Sequence, residues 1–477
     1  MRLRDALPGA GVLLLALGCG DGSGPPPLPP TPHHLSFVAQ PLTSLADSAI
    51  SPAVTVEIRD SVNRRITSAT AAITIAFGAN PGGATLSGSA TVNAVNGSAT
   101  FSGLKINQRG RGYTLVASSG ALTGDASVAF DVFAPLIVDV VAAGSTHSCA
   151  LKRGVATYCW GSNVIGELGD SSTTPSRFPV RVRTDLQFDT ISAGYFLTCG
   201  ITSLGAGHCW GDNLDGRLGD SSTVINRFSP TPIYGGLSFA EIAHGFFHSC
   251  GLTTSGAAYC WGGNNVGQLG DSTLGGVSLS PAPVAGGLTF GMLHTRNFHT
   301  CAIATGGAAY CWGDNLWGML GVADTTLAYA VSPEAVAGGL TFLNITTGNV
   351  HTCAVATDAT TYCWGDNRAG QLGDGTRTKR WVPTPVTGGH AFVSVHAQGP
   401  FTCGLTALGA VWCWGIGYGT APVAITQPVL FVSISAGYEH VCGVTATGTL
   451  YCWGENSNGQ LGDGTTTHRS VPVLVVY

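Results

Sequence analysis

Seven times between Cys149 and Cys452 the chain repeats two cysteines with nine residues between them, the second followed at once by Trp-Gly. The pairs are Cys149 with Cys159, Cys199 with Cys209, Cys250 with Cys260, Cys301 with Cys311, Cys353 with Cys363, Cys403 with Cys413 and Cys442 with Cys452, and their first members lie 50, 51, 51, 52, 50 and 39 residues apart. A period near 50 makes each repeat one structural unit that buries its apolar faces against its neighbours, which restricts the fold to a propeller or a solenoid.

The third unit shows what a repeat contains: Phe239-Ala-Glu-Ile-Ala-His-Gly245, then His248-Ser-Cys250-Gly-Leu252, Ala258-Tyr-Cys-Trp-Gly262, Gly267-Gln-Leu-Gly-Asp271 and Pro281-Ala-Pro-Val284. Four short apolar runs with glycine-rich joints predict a four-stranded antiparallel sheet. Glycine stands at the sixth place after the first cysteine in five units (Gly205, Gly256, Gly307, Gly409, Gly448), as a hairpin turn with positive φ requires. Folding the chain there makes the two cysteines cross-strand neighbours, with Cα atoms roughly 4.5 to 5.5 Å apart, a separation a disulfide tolerates. Each pair is therefore expected to bridge within its own sheet. Closing an eleven-residue loop contributes on the order of 2.7 kcal/mol in the chain-entropy picture. Zinc is the competing use of two thiols with a nearby histidine, but zinc ligands come in pairs with two to four intervening residues, not nine. No metal and no cofactor are expected.

Alternation along the strand puts Tyr259 and Trp261 on the face opposite Cys260. Both faces are buried when sheets stack radially. The series Trp160, Trp210, Trp261, Trp312, Trp364, Trp414, Trp453 then reads as core between blades, with an aromatic binding box as the sharper alternative. An unpaired edge strand invites aggregation, so the ring is expected to close by Leu136 to Val141 against Val471 to Val475. His147, His248, His299, His351 and His440 recur two residues before the first cysteine, while Leu197 and Phe401 take that place in units two and six. A ring of functional ligands would not tolerate those replacements, so a half-buried imidazole bonded to a neighbouring loop is expected. Asp170, Asp220, Asp271, Asp374 and Asp463 follow Leu-Gly in a turn, where a carboxylate accepts backbone N–H bonds. Calcium binding is the second choice for them.

The fifteenth cysteine, Cys19, lies near the N-terminus. Arg2 and Arg4 precede an apolar run, Val12 to Leu17, that ends in Ala16-Leu17-Gly18-Cys19, and this resembles a bacterial lipoprotein signal, with Ala16 where the pattern prefers leucine. Lipidation of Cys19 would remove the odd thiol; an ordinary secretory signal is the alternative. Either exports the chain to an oxidising compartment, where paired cysteines persist as disulfides. Residues 1–18 are thus read as signal peptide and 19–34 as a stiff proline-rich linker carrying Pro25, Pro26, Pro27, Pro29, Pro30 and Pro32. The formal charge is −5, with three lysines in the whole chain, so no electrostatic footprint for nucleic acid exists.

Residues 35–133 lack cysteine and consist of short alternating runs, among them Val54-Thr-Val-Glu-Ile58, Ile73-Thr-Ile-Ala-Phe77 and Tyr113-Thr-Leu-Val116. That pattern predicts a β-sandwich. The order Ser51-Pro-Ala-Val-Thr-Val, Asn80-Pro-Gly-Gly, Asn96-Gly-Ser-Ala-Thr-Phe and Gly112-Tyr-Thr-Leu resembles bacterial immunoglobulin-like modules, which serve as stalks.

Residues 134–477 carry Gly-x-x-His-x-Cys followed by Tyr-Cys-Trp-Gly-x-Asn-x-x-Gly-x-Leu-Gly, with Trp364-Gly-Asp-Asn367, Gly370-Gln-Leu-Gly-Asp-Gly375 and Trp453-Gly-Glu-Asn456, Gly459-Gln-Leu-Gly-Asp-Gly464 holding every element in register. These units resemble the repeats of the regulator of chromosome condensation family. The resemblance implies an all-β chain, a seven-bladed β-propeller preceded by the immunoglobulin-like sandwich. Fold does not carry activity with it. The eukaryotic prototype serves a nuclear GTPase and chromatin, which an exported, acidic chain does not meet. Plant photoreceptor relatives use a Gly-Trp-Arg-His segment that here reads Gly245-Phe-Phe-His248 or Gly348-Asn-Val-His351. A secreted bacterial relative inhibits β-lactamases.

Unit six lacks the elements after Trp414 and is about twelve residues shorter than its neighbours, so one rim of the disc should carry a notch. Units four and five bring aromatics absent elsewhere. A protein or glycan surface is expected to use Trp317, Trp381 and the notch near Tyr418. No nucleophile elbow, phosphate loop or close metal-ligand pair is readable. The expected function is a non-catalytic, lipid-anchored recognition protein of a bacterial cell envelope, at the outer membrane or cell surface. A protein inhibitor of an envelope enzyme is the alternative, and a propeller hydrolase or lyase the third reading.

Overall fold

The computed structural model describes residues 30–477; the signal segment, Cys19 and the linker up to residue 29 lie outside the described residues. The chain divides into two compact units, one ending at Val132 and the other running from Phe133 to Tyr477.

The second unit is seven four-stranded antiparallel sheets, each built from four consecutive strands. We number these blades 1 to 7; their first strands begin at Val140, Phe188, Phe239, Phe290, Phe342, Phe392 and Phe431. Blade 3 is representative, with strands Phe239–His244, His248–Thr253, Ala258–Gly263 and Val277–Pro283. In every blade the two cysteines stand directly opposite each other in the register of strands two and three. All seven pairs are disulfide-bonded as their spacing predicts: Cys149 to Cys159, Cys199 to Cys209, Cys250 to Cys260, Cys301 to Cys311, Cys353 to Cys363, Cys403 to Cys413 and Cys442 to Cys452. Their Cα atoms lie 4.0 to 4.1 Å apart, closer than the cross-strand separation expected from the sequence. The hairpin glycines Gly205, Gly256, Gly307, Gly409 and Gly448 take φ between 81° and 87°, the conformation that their spacing requires.

The tryptophan series is the cement between blades. Trp261 of blade 3 joins one apolar cluster with Cys199 and Cys209 of blade 2. Trp210 packs likewise against Cys149 and Cys159, Trp414 against Cys353 and Cys363, and Trp453 against Cys403 and Cys413. Trp312 and Trp364 share a larger cluster with Cys250, Cys260, Cys301 and Cys311 of blades 3 and 4. Trp160 of blade 1 completes the circle against Cys442 and Cys452 of blade 7. All seven indoles are buried. Each junction thus gains the large apolar surface of one indole, packed with the leucine, isoleucine and phenylalanine side chains around it.

The repeated histidines are more buried than the spacing suggested, and their partner is a side chain rather than a loop. His147, His248, His299 and His351 are fully buried. Their Nε2 atoms lie 2.8 to 3.0 Å from the hydroxyls of Thr198, Thr300, Thr352 and Thr402, each one residue before the first cysteine of the next blade. His440 reaches Ser148 of blade 1 in the same way, at 2.7 Å. Each hydroxyl in turn donates to a carbonyl of the preceding blade's Leu-Gly turn, as Thr198 does to Glu167 and Ser148 to Gln460. A hydroxyl has one proton to give, so it accepts from the imidazole, which is neutral and protonated at Nε2. Burial lowers the pKa of these rings to about 3 or 4.

The turn aspartates are occupied within their own turns. Asp220 Oδ1 accepts from the Ser222 backbone and its Oδ2 from Arg227, and Asp374 and Asp463 use Arg380 and Arg469 in the same manner. The neighbouring asparagine, Asn213 in blade 2, ties the turn from the other side.

The ring closes by a bond that also joins four other pairs of blades. The backbone N–H entering the first strand donates to the hairpin glycine of the blade before: Phe239 to Gly205, Phe290 to Gly256, Phe342 to Gly307, Phe431 to Gly409, and Val138 ahead of blade 1 to Gly448 of blade 7. Leu136 N–H adds a bond to the Val475 carbonyl, and Ala134 and Tyr477 pair through both backbone groups. The closing partner of the C-terminal strand is thus Ala134 to Val138. Val140–Ala143 pairs with the second strand of its own blade instead.

In the first unit, strands His34–Ala39, Val54–Arg59 and Ser98–Phe101 form one sheet, and Ala72–Phe77 and Leu115–Ser118 anchor a second. Their inward residues, including Leu35, Val54, Val56, Ile58, Ile73, Ile75 and Leu115, share one core. The alternation seen in the sequence is the alternation of burial: Val54–Arg59 runs buried, half-buried, buried, half-buried. Tyr113 is fully buried, and its hydroxyl donates to the Gln108 carbonyl at 2.9 Å. That bond pins the turn that precedes the strand Gly110–Tyr113.

Candidate functional site

Two concave sites of the propeller gather charged and aromatic side chains. The first is the rim notch. Blade 6 turns directly from Gly415 to its fourth strand, Gly419–Ala424, so the long turn that other blades place there is missing. A pocket of about 730 Å³ results, lined by Tyr418, Pro400, Arg368, Arg377, Asp366 and Tyr438 among others. Tyr418 is half-buried against Phe401, with ring centroids 6.1 Å apart. The Arg368 guanidinium reaches out of this pocket and lies 4.0 Å from the centre of the Trp317 ring. Lys379 lies 5.7 Å from Trp317 and 4.2 Å from Trp381. Trp317, Trp381 and Tyr418 thus fall on one continuous surface, with two cations between the three rings. Both tryptophans are half-buried. Sequence reasoning found the rings because they break the repeat; it missed the cations, which look like ordinary solvated charges.

Beside the notch, the loops between first and second strands form a partly exposed aromatic field. Tyr195 and Phe246 stand 4.6 Å apart, Phe246 and Phe247 4.5 Å, and Phe247 and Phe298 5.1 Å between ring centroids. The Tyr195 hydroxyl donates to Asn349 Oδ1 at 2.6 Å, linking blade 2 to blade 5 across the axis.

The second site is the central channel, a place where propellers can bring together groups from distant repeats and whose residues no motif in the sequence names. First strands of all seven blades line a cavity of about 320 Å³. Its polar groups are Glu241, His244, His294, His396, Arg296, Gln398, Asn344 and several hydroxyls. His294 Nδ1 accepts the Thr347 backbone N–H at 3.1 Å, which leaves its Nε2–H to donate. His244 spans Ser192 at 2.9 Å and Ser249 at 3.0 Å. Burial lowers the pKa of His244 and His294 to about 3 and that of His396 to about 4, with the Arg296 charge adding to the effect on the first two. Burial raises that of Glu241 to about 7, against a backbone N–H bond from Leu293 that lowers it. Among the described residues no cluster of three or more His, Cys, Asp or Glu side chains is spaced to hold a metal ion.

A signal for the channel was present in the sequence. Three residues before the histidine position, five blades have glycine: Gly144, Gly194, Gly245, Gly348 and Gly437. A Cβ there would come within 2.5 to 2.6 Å of the imidazole at Gly144 and Gly245. Blades 4 and 6 place Arg296 and Gln398 at that position, and in both the first strand is one residue longer than its neighbours in blades 3 and 5. Asn297, with φ 48°, turns the chain after Arg296.

Comparison with known proteins gives the same architecture from a different direction. Residues 123–422, more than half of the chain, match the RCC1-like domain family, and residues 431–460 and 447–477 match single regulator of chromosome condensation repeats. The ultraviolet-B receptor UVR8 of Arabidopsis thaliana is 30% identical over 52% of this chain and 58% of its own length. The probable E3 ubiquitin-protein ligase HERC6 of Homo sapiens is 26% identical over 53% of this chain and 21% of its own length. The chain therefore spans about half or less of the length of these relatives. Human WBSCR16 superposes with a TM-score of 0.61 at 20% identity, covering 67% of this chain and 93% of that one. Yeast RCC1 (Prp20), solved with Kap60 bound, gives 0.58 at 19% identity, covering 71% and 85%. At such identities the structures speak to fold alone, and they agree with the seven disulfide-stapled sheets described above: the chain belongs to the RCC1-like domain family of β-propellers.

Proposed function

We propose that this chain is a non-catalytic recognition protein, exported and held at a bacterial envelope by lipid on Cys19, whose propeller binds a protein or glycan partner on the face bearing the blade 6 notch. The notch carries the reading: a pocket of about 730 Å³ opens beside half-buried tryptophans joined by Lys379, with Arg368 over Trp317. Aromatic and arginine side chains around a desolvated pocket are the composition of interface hot spots. Protein binding is also the role that a solved relative's description records for yeast Prp20p, towards Gsp1p and histones. Seven disulfides favour an oxidising compartment. The first unit acts as a stalk, a reading supported by the resemblance of its sequence to bacterial immunoglobulin-like modules.

Photo-crosslinkers placed at Trp317 and Trp381 on the intact cell surface should trap one partner. The Trp317→Ala/Trp381→Ala chain should lose that partner by on the order of tenfold or more. Unchanged partner binding by the double variant would remove the site. Cys19→Ser should abolish incorporation of a labelled fatty acid and release the protein from the membrane fraction; retention without label would remove the lipid anchor.

A further inference from the structure

Arg296 is a buried cation with no carboxylate beside it. It is 2% exposed, lines the channel cavity, and makes no ion pair among the described residues. Its guanidinium lies 4.6 Å from the centre of the Tyr195 ring, so one face is stacked. Its Nε and Nη2 have no hydrogen-bond acceptor among the described residues. Those two donors share one edge of the guanidinium, the edge that grips a carboxylate or phosphate by two parallel N–H···O bonds.

The Tyr195 phenol holds this charge by a side-chain hydrogen bond, but among the described residues no carboxylate faces it. Glu241 is its sole carboxylate among the described residues, and it stands at the opposite end of the first-strand layer, bonded to Leu293 N–H. Counting from the phenylalanine that opens each strand, Glu241 is two residues in and Arg296 six, a separation of about 13 Å along the strands. Burying an ion without a partner is among the most costly things a fold can do. Blade 4 does so where five other blades use glycine, and it lengthens a strand to do it. Neutral donors accompany the cation: His294 keeps its Nε2–H free for the cavity. Gln398 of blade 6 breaks the glycine pattern at the equivalent place. The volume, about 320 Å³, suits a small molecule and not a peptide chain.

We propose that the central channel is a small-molecule site in which Arg296 takes the ligand's oxyanion, a carboxylate or phosphate, through Nε–H and Nη2–H. This site is separate from the notch and does not depend on how the rim is used. Tyr195 holds the guanidinium plane, and its bond to Asn349 closes that end of the channel.

The purified chain is titrated with succinate and with inorganic phosphate by calorimetry and thermal melting, against chloride at matched ionic strength. One arm is expected to show saturable one-to-one binding and a raised Tm, and which arm responds tells carboxylate from phosphate. Arg296→Lys, which keeps charge but loses the fork, should weaken binding about tenfold. Arg296→Gly restores the residue of the other blades and should abolish binding while leaving the ligand-free Tm equal to or above that of the native chain. Binding by neither anion above the chloride control overturns the proposal, as does equal binding by Arg296→Gly. A marked fall in its ligand-free Tm also overturns it, because the arginine would then be a structural post. Failure of Arg296→Gly to fold counts as that same outcome.

Discussion

Two junctions in the propeller lack the histidine of the other five, and they solve the loss in opposite ways. Between blades 2 and 3 the histidine is replaced by Leu197, yet Ser249 of blade 3 keeps its hydroxyl, which donates to the Arg217 carbonyl. The channel residue His244 fills the vacancy, with Nδ1 3.0 Å from Ser249 Oγ. Between blades 6 and 7 the histidine is Phe401, and the facing residue is Val441, which has nothing to satisfy; both join one apolar cluster. What the repeat preserves is therefore a matched pair and not a histidine. A buried polar atom must have its partner, or both partners must go.

The largest way to stress this arrangement is acid. The imidazoles of the junctions and channel have folded-state pKa values of about 3 to 4, below their ordinary value of 6.5. The unfolded chain therefore binds protons that the fold refuses. The stabilising contribution is complete above pH 6.5 and is lost as pH falls from there towards 4, by up to about 1.4 kcal/mol per pH unit for each ring. The urea midpoint should drop steeply across that window; a flat profile would show that the rings are accessible to protons in the folded chain. Transplanting the apolar pairing of blades 6 and 7 into a regular junction, as His299→Phe with Thr352→Val, should reduce the proton uptake on unfolding by one.

The second stress is a half-match. Thr352→Val alone strands the His299 Nε2–H, and Val441→Thr alone buries a hydroxyl opposite Phe401; each should cost about 1 to 3 kcal/mol by chemical denaturation. In the His299→Phe/Thr352→Val chain the cost should be smaller than the sum of the single changes by about 0.5 kcal/mol or more. Strict additivity would mean that the pair is not a unit. The smallest effect concerns the borrowed residue. Leu197→His in a His244→Ala background should recover about 1 kcal/mol by serving Ser249 again, whereas in the native background, where Ser249 is already served and Leu197 is fully buried, it strands an imidazole and should cost about 1 to 3 kcal/mol.

Most of this architecture was legible because a repeat writes its register many times over. Cys-Trp-Gly, the hairpin glycine and the Leu-Gly turn each fix a local geometry, and their common period fixes the stacking. The histidines were legible in position but not in partner, because the hydroxyl they meet stands some fifty residues away and no local pattern couples the two. The notch could be read from missing residues after Trp414, and Trp317 and Trp381 from their novelty. Arg368 and Lys379 could not, since exposed cations are common on any surface. The channel escaped because side chains at the axis come from seven strands with no motif of their own. Only an alignment of the seven units against one another shows Arg296 and Gln398 standing where glycine belongs.

Closure of the ring by Ala134 to Val138 against Gly448 and Val475 to Tyr477 has a consequence for biosynthesis. Each hairpin can oxidise as soon as its two cysteines have been made, since they are near in sequence. Ala134 to Val138 wait for Gly448 and for Val475 to Tyr477, more than three hundred residues later, so until blade 7 is made that stretch has no backbone partner there. A chaperone that shields an extended, apolar stretch would find its client at Ala134 to Val138.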